Sequence, residues 1–127
     1  MRSRDSLLRL HRFRTEEKRR QAADIDAMIA DFLRKFDDLD HIVKMEEQRT
    51  GVTDPGHFNY STSAKASRGR RDNLLKSIAD LKDQLADAQS AVKDEEGELR
   101  KVELLMEKER GPAIPVAATL SAAMHAR

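Results

Sequence analysis

The sequence predicts an all-α protein, a long two-helix antiparallel coiled-coil hairpin with a short C-terminal tail. Three observations predict it: a composition suited to a narrow seam, a heptad repeat on either side of one break, and charge blocks that match when the chain folds back. Charged residues make up 37% of 127 and aromatics 4%, with no Trp. A thick core cannot be filled from that supply, whereas a seam between helices can. The net charge of +1 and the strong pattern argue against disorder, which needs high net charge and no periodicity.

The first helix is expected over 3–49, a span without Pro or Gly. Ser3 is its cap and Asp5 lies in the first turn, where a carboxylate suits the helix dipole. Its stripe is clearest at Ala22, Ile25, Ile29, Phe32, Phe36, Leu39 and Val43, with alternating steps of three and four. Upstream the stripe reads Leu7, Leu10 and Phe13 and lapses across Arg14–Gln21, a phase shift that predicts a stutter. That polar stretch marks either a locally weak coiled coil or a face turned toward another surface.

The turn is expected over 50–61. Gly51 ends the first helix, and Asp54-Pro55 reads as an N-cap followed by Pro at the first position of a short turn. His57, Phe58 and Tyr60 either staple this turn to the helices or form an exposed docking patch.

The second helix is expected over 62–110. One seam position holds Ile78, Leu85, Val92, Leu99 and Met106; the other holds Leu74, Leu81, Ala88, Glu95 and Val102, where Glu95 is the exception. Gly69 and Gly97 each cost about 1 kcal/mol relative to Ala. Gly111-Pro112 is a strong stop, and 111–127 reads as a flexible, Ala-rich tail.

Each helix has about 48 residues, or roughly 70 Å, and an apolar stripe of that length must be buried. Segment 2–20 carries net +5 and 92–110 net −2, while 36–47 carries −4 and 65–76 carries +4. An antiparallel hairpin sets each segment against its opposite. Facing residues then have numbers summing to about 111, as for Phe32 with Ile78 and Ile25 with Leu85.

The same residues narrow the function classes. Cysteine is absent, which excludes disulfides, thiolate metal sites and thiol catalysis. No secretory signal is visible, and the uncharged stretch Gly111–Met124 is too short for the roughly 20 residues of a membrane span. His11, His41, His57 and His125 contain no pair at the i, i+4 spacing of a helical metal site. No glycine-rich phosphate loop occurs, and a hairpin offers no cleft to perturb carboxylates. The chain is therefore read as a non-enzyme without cofactor or metal. The basic segments 2–20 and 65–76 raise nucleic-acid binding; interleaved acidic residues and near-zero net charge favour intramolecular pairing instead.

The string MRSRDSLLRLHRFRTEEKRRQAADIDAMIADF, the stretch TDPGHFNYSTSAKASRGRRDNL and the later ELRKVELL resemble, in order and spacing, flagellar export proteins of the FliJ family in its alphaproteobacterial form. The resemblance covers roughly 1–110. It implies a coiled-coil hairpin similar to the stalk of rotary ATPases, and a component of the flagellar type III export apparatus. The implied partners are the hexameric export ATPase, the cytoplasmic domain of the membrane export-gate subunit, and exported flagellar subunits or their chaperones. Neither nucleic-acid binding nor membrane insertion is implied; the location would be cytoplasmic, peripheral at the inner membrane at the flagellar base. Carried over by topology, the ATPase end comprises Leu7, Leu10, Arg14, Arg19, Arg20, Leu99, Val102 and Met106, and the gate end Phe58 and Tyr60. The chain departs from the family's pattern at Gly111-Pro112, where a charged helix ordinarily continues. The alternative function is a structural or adaptor coiled coil, homodimeric or a scaffold, unrelated to export.

Overall fold

The computed structural model describes residues 2–109. Two long helices, α1 (Arg2–Thr50) and α2 (Thr62–Glu109), pack antiparallel as an all-α helical hairpin, with no strand among the described residues. The tail expected over 111–127 lies outside the described residues.

The connection is built from backbone chemistry. Gly51 adopts φ +74°, the left-handed conformation that favours glycine at a helix end. Its amide donates to the Glu47 carbonyl at 2.9 Å, satisfying one of the carbonyls that the end of α1 leaves open. Asp54 carries the next turn: its carboxylate accepts the Gly56 amide at 3.0 Å, and its carbonyl accepts the His57 amide at 3.0 Å. Pro55 pre-sets the first central dihedral of that turn. A second turn follows, with the Tyr60 amide donating to the His57 carbonyl at 3.0 Å. Ser61 then caps α2, its buried hydroxyl accepting the Ala64 amide at 3.2 Å.

By contact density the chain divides into Met1–Arg20 with Gln89–Arg127, here unit 1, and Gln21–Ala88, here unit 2. In unit 2, Ile29, Ile78 and Leu81 form a buried cluster, with Ile25, Phe32 and Leu85 packed against it. Both pairs expected to face each other thus fall in one cluster. Toward the turn the seam narrows to Val43, Ala64 and Ser67, all buried; small side chains there let the helices approach closely. Partner numbers in unit 2 sum to 111 for Asp40 with Arg71 and to 107 for Glu47 with Tyr60.

Unit 1 keeps a comparable register, from 106 for His11 with Glu95 to 115 for Arg19 with Glu96. Its seam differs in chemistry. From α2 it takes Val92, Glu95, Leu99, Val102 and Met106; from α1 it takes Leu8, His11, Thr15 and Lys18.

This corrects the expected stutter. Steps of three and four continue without interruption from Ala22 back through Lys18, Thr15 and His11 to Leu8. Leu7, Leu10 and Phe13 fall outside this series and are exposed, Phe13 most of all at 62%. The physical reason is that helix geometry holds its phase, while each polar residue has its own means of entering the seam. Thr15, 1% exposed, donates its hydroxyl to the His11 carbonyl at 2.7 Å, the i−4 bond open to Ser and Thr in helices. Lys18 is half-buried, as a long aliphatic stem with a charged head allows. Apolarity alone was therefore a misleading guide to the phase of α1 before Ala22.

Candidate functional site

Two surfaces hold the residues singled out from the sequence, one in each unit. In unit 1, cations from α1 meet carboxylates from α2. Arg19 donates to Glu16 and to Glu96, both at 2.8 Å, and the Glu96 carboxylate, the largest influence, holds the guanidinium above its ordinary pKa. Arg20 pairs with Glu17 one turn earlier, and Arg4 pairs with Glu109 across the helices. Arg14 is exposed and has no ion pair among the described residues. Such exposed pairs are screened by solvent and contribute little to stability, so their cationic partners remain available to a competing anionic surface.

The leucines of this unit are not equivalent. Leu7 and Leu10 are exposed, whereas Leu99 and Met106 are half-buried and Val102 is buried in the seam. Of the candidates named for the terminal end, the structure therefore brings Leu7, Leu10, Arg14, Arg19 and Arg20 to the surface and commits Val102 to helix packing. The sequence reading missed Leu104 and Leu105, both exposed. The signal was present, since both lie off the heptad positions occupied by Leu99, Val102 and Met106.

One layer of unit 1 is poorly satisfied. His11 Nδ1 and Glu95 Oε2 face each other at 4.0 Å with side chains 13% and 22% exposed. Neither atom has a hydrogen-bond partner, and 4.0 Å is too long for one. Leaving a buried polar atom unpaired costs about 1–3 kcal/mol.

In unit 2 the turn separates its two aromatics. Tyr60 is the staple: its hydroxyl donates to Glu47 Oε2 at 2.7 Å, and burial, followed by Glu47, holds the phenol above its ordinary pKa. Arg68 approaches the same carboxylate at 3.9 Å. Phe58 is the exposed member, 89% accessible and stacked on His57 with ring centroids 4.7 Å apart. His57 is itself held, its Nδ1 accepting the Asn59 amide at 3.0 Å. Tyr60 thus staples the turn to α1, while Phe58 is exposed.

An open groove also runs along unit 2, with Phe32, Leu39 and Leu74 as apolar floor and Lys35, Asp38 and Arg70 at its rim. Lys35 lies across Phe32, its ammonium 5.6 Å from the ring centroid, and pairs with Asp31 at 3.1 Å. Lys35, ahead of Arg34, holds the Asp31 carboxyl below its usual range. Among the described residues no group of three His, Asp or Glu side chains converges on a possible metal position, and no helix is long and apolar enough to cross a membrane.

Comparisons with protein-family models, with curated proteins and with solved structures give no match.

Proposed function

We propose that the chain is a non-enzymatic, stalk-like component and general chaperone of the flagellar type III export apparatus, binding the hexameric export ATPase and the cytoplasmic domain of the membrane export gate. The observation that carries this reading is the resemblance of three strings, in order, to FliJ-family export proteins, and an antiparallel helical hairpin is the fold that the resemblance implies. In this reading unit 1 meets the ATPase ring through Arg14, Arg19 and Arg20 beside Leu7 and Leu10. Phe58, held outward by a hydrogen-bonded turn, is the anchor toward the gate. The mechanism is geometric: an asymmetric hairpin in a symmetric ring makes the ring's subunits inequivalent and so couples their states. The protein would sit in the cytoplasm at the inner-membrane face of the flagellar base.

The test is the hydrolysis rate and ring assembly of the cognate export ATPase with and without the chain. Stimulation lost on combined Arg14→Glu, Arg19→Glu and Arg20→Glu substitution supports the reading. Absence of binding by the unsubstituted chain rejects it.

Met28, Ile42 and Met45, exposed on α1 within unit 2, favour a second reading, a structural or adaptor coiled coil. It requires a stable homodimer or scaffold complex that forms without the export ATPase, measurable by sedimentation.

A further inference from the structure

Unit 1 leaves an apolar groove beside its seam. Val102 and Met106 form the floor, Leu7 and Leu105 the walls, and the Arg4–Glu109 ion pair lies at its edge. The walls are under-covered, with Leu105 59% exposed. Five of the large apolar side chains exposed on the protein, Leu7, Leu10, Phe13, Leu104 and Leu105, belong to this unit. Of these, Leu7 and Leu105 meet at the groove with Val102 and Met106, and an exposed apolar groove marks a site that something covers.

We propose that the occupant is this chain's own segment 113–124. In a sequence with 37% charged residues, 111–124 contains none. It is the one long stretch with no charged side chain to keep it solvated. Val116, Leu120 and Met124 recur every four residues, the spacing that places side chains along one helical face. The described chain also ends at the groove, because Glu109, the last residue of α2, is one of the groove's own lining residues and stands four residues before Ala113. Gly111 and Pro112 are poor helix formers, and that dipeptide is where a chain can reverse onto the helices it has just left. Tethering at that distance makes the encounter intramolecular, at a high effective concentration that a free partner must overcome. Charge agrees: Arg4 and Glu109 neutralise each other, so a neutral segment strands no ion when it docks. The inference is independent of the export reading, since it concerns only what covers this groove.

The absence of cysteine gives a direct test. In the full chain, Leu7→Cys is combined in turn with Val116→Cys, Leu120→Cys and Met124→Cys, then oxidised at high dilution after helix content is checked by circular dichroism. The expected result is a disulfide within one chain for at least one pair. Disulfides only between chains identify a second copy as the occupant and overturn the proposal, as does no disulfide in any pair. A second measurement needs no cysteine. Leu120→Asp with Met124→Asp in the full chain should raise the fluorescence of a dye that binds apolar surface, and adding Leu7→Ser and Leu105→Ser should abolish the rise. Unchanged fluorescence in the first variant overturns the proposal as well.

Discussion

Units 1 and 2 share a helix pair, a heptad spacing and a register, yet are held by different chemistry. Unit 2 buries Ile29, Ile78 and Leu81 with Ile25, Phe32 and Leu85 around them. Unit 1 fills equivalent positions with His11, Thr15, Lys18 and Glu95, and leaves two of their polar atoms without partners. Heptad spacing thus specifies where two helices touch, while the residues at those positions decide how strongly. Coiled coils use polar seam residues in this way, giving up stability and gaining definition of register.

The largest expected effect that tests this contrast comes from cutting into each seam. Ile78→Ala should cost about 2–4 kcal/mol by urea unfolding. Val102→Ala, removing two buried methyl groups from unit 1, should cost only about 1.5 kcal/mol. Ile78→Ala removes three carbons and Val102→Ala two, so equal losses would mean a larger cost per carbon at Val102 and would make the unit 1 seam the better packed of the two. Next, His11→Leu combined with Glu95→Leu should stabilise the protein by about 1–4 kcal/mol, the usual sign when a buried ionisable pair gives way to packed apolar groups. Glu95→Leu alone should gain less, because His11 Nδ1 stays unpaired. A double variant less stable than the parent would mean that this layer already contributes favourably.

Smaller effects come from the turn and from surface charge. Gly51→Ala meets no steric obstacle, so its cost, about 1–2 kcal/mol, is that of placing a side chain in the left-handed region. Asp40 sharpens the comparison through pH. Lys44 and then Arg71 hold its carboxyl below its ordinary range. A depressed carboxyl contributes stability that is present above the unfolded value and lost as pH falls through the folded one. Melting temperature should therefore drop on acidification below about pH 4, and Asp40→Asn should flatten that drop. An unaltered profile would remove Asp40 from the account.

Much of this architecture could be read before the structure. Gly51 and Asp54-Pro55 are residues whose backbone chemistry determines where a helix can end and a turn begin, and the α2 seam from Leu74 to Met106 is apolar enough to show its phase. The α1 seam before Ala22 was not legible, because Leu7, Leu10 and Phe13 outshine the true seam residues in hydrophobicity. Only continuation of the three-four spacing reveals Thr15 and Lys18 as interior. At the candidate surfaces, exposure of Phe58 and tethering of Tyr60 were indistinguishable in sequence, since both are aromatics beside a turn. Their separation depends on Glu47, thirteen residues away from Tyr60.

The position of the turn also orders events in time. Contacts of unit 2 close short lengths of chain: 13 residues between Tyr60 and Glu47, and 31 between Arg71 and Asp40. In unit 1 the Arg19–Glu96 contact closes 77. Loop-closure entropy rises with length, by about 0.6 kcal/mol per doubling, and local contacts form fastest. The hairpin should accordingly zip from the turn outward. Substitutions in the turn and at Val43 or Ala64 should slow folding, whereas substitutions around His11 should chiefly speed unfolding. The weaker polar layer then closes last and opens first.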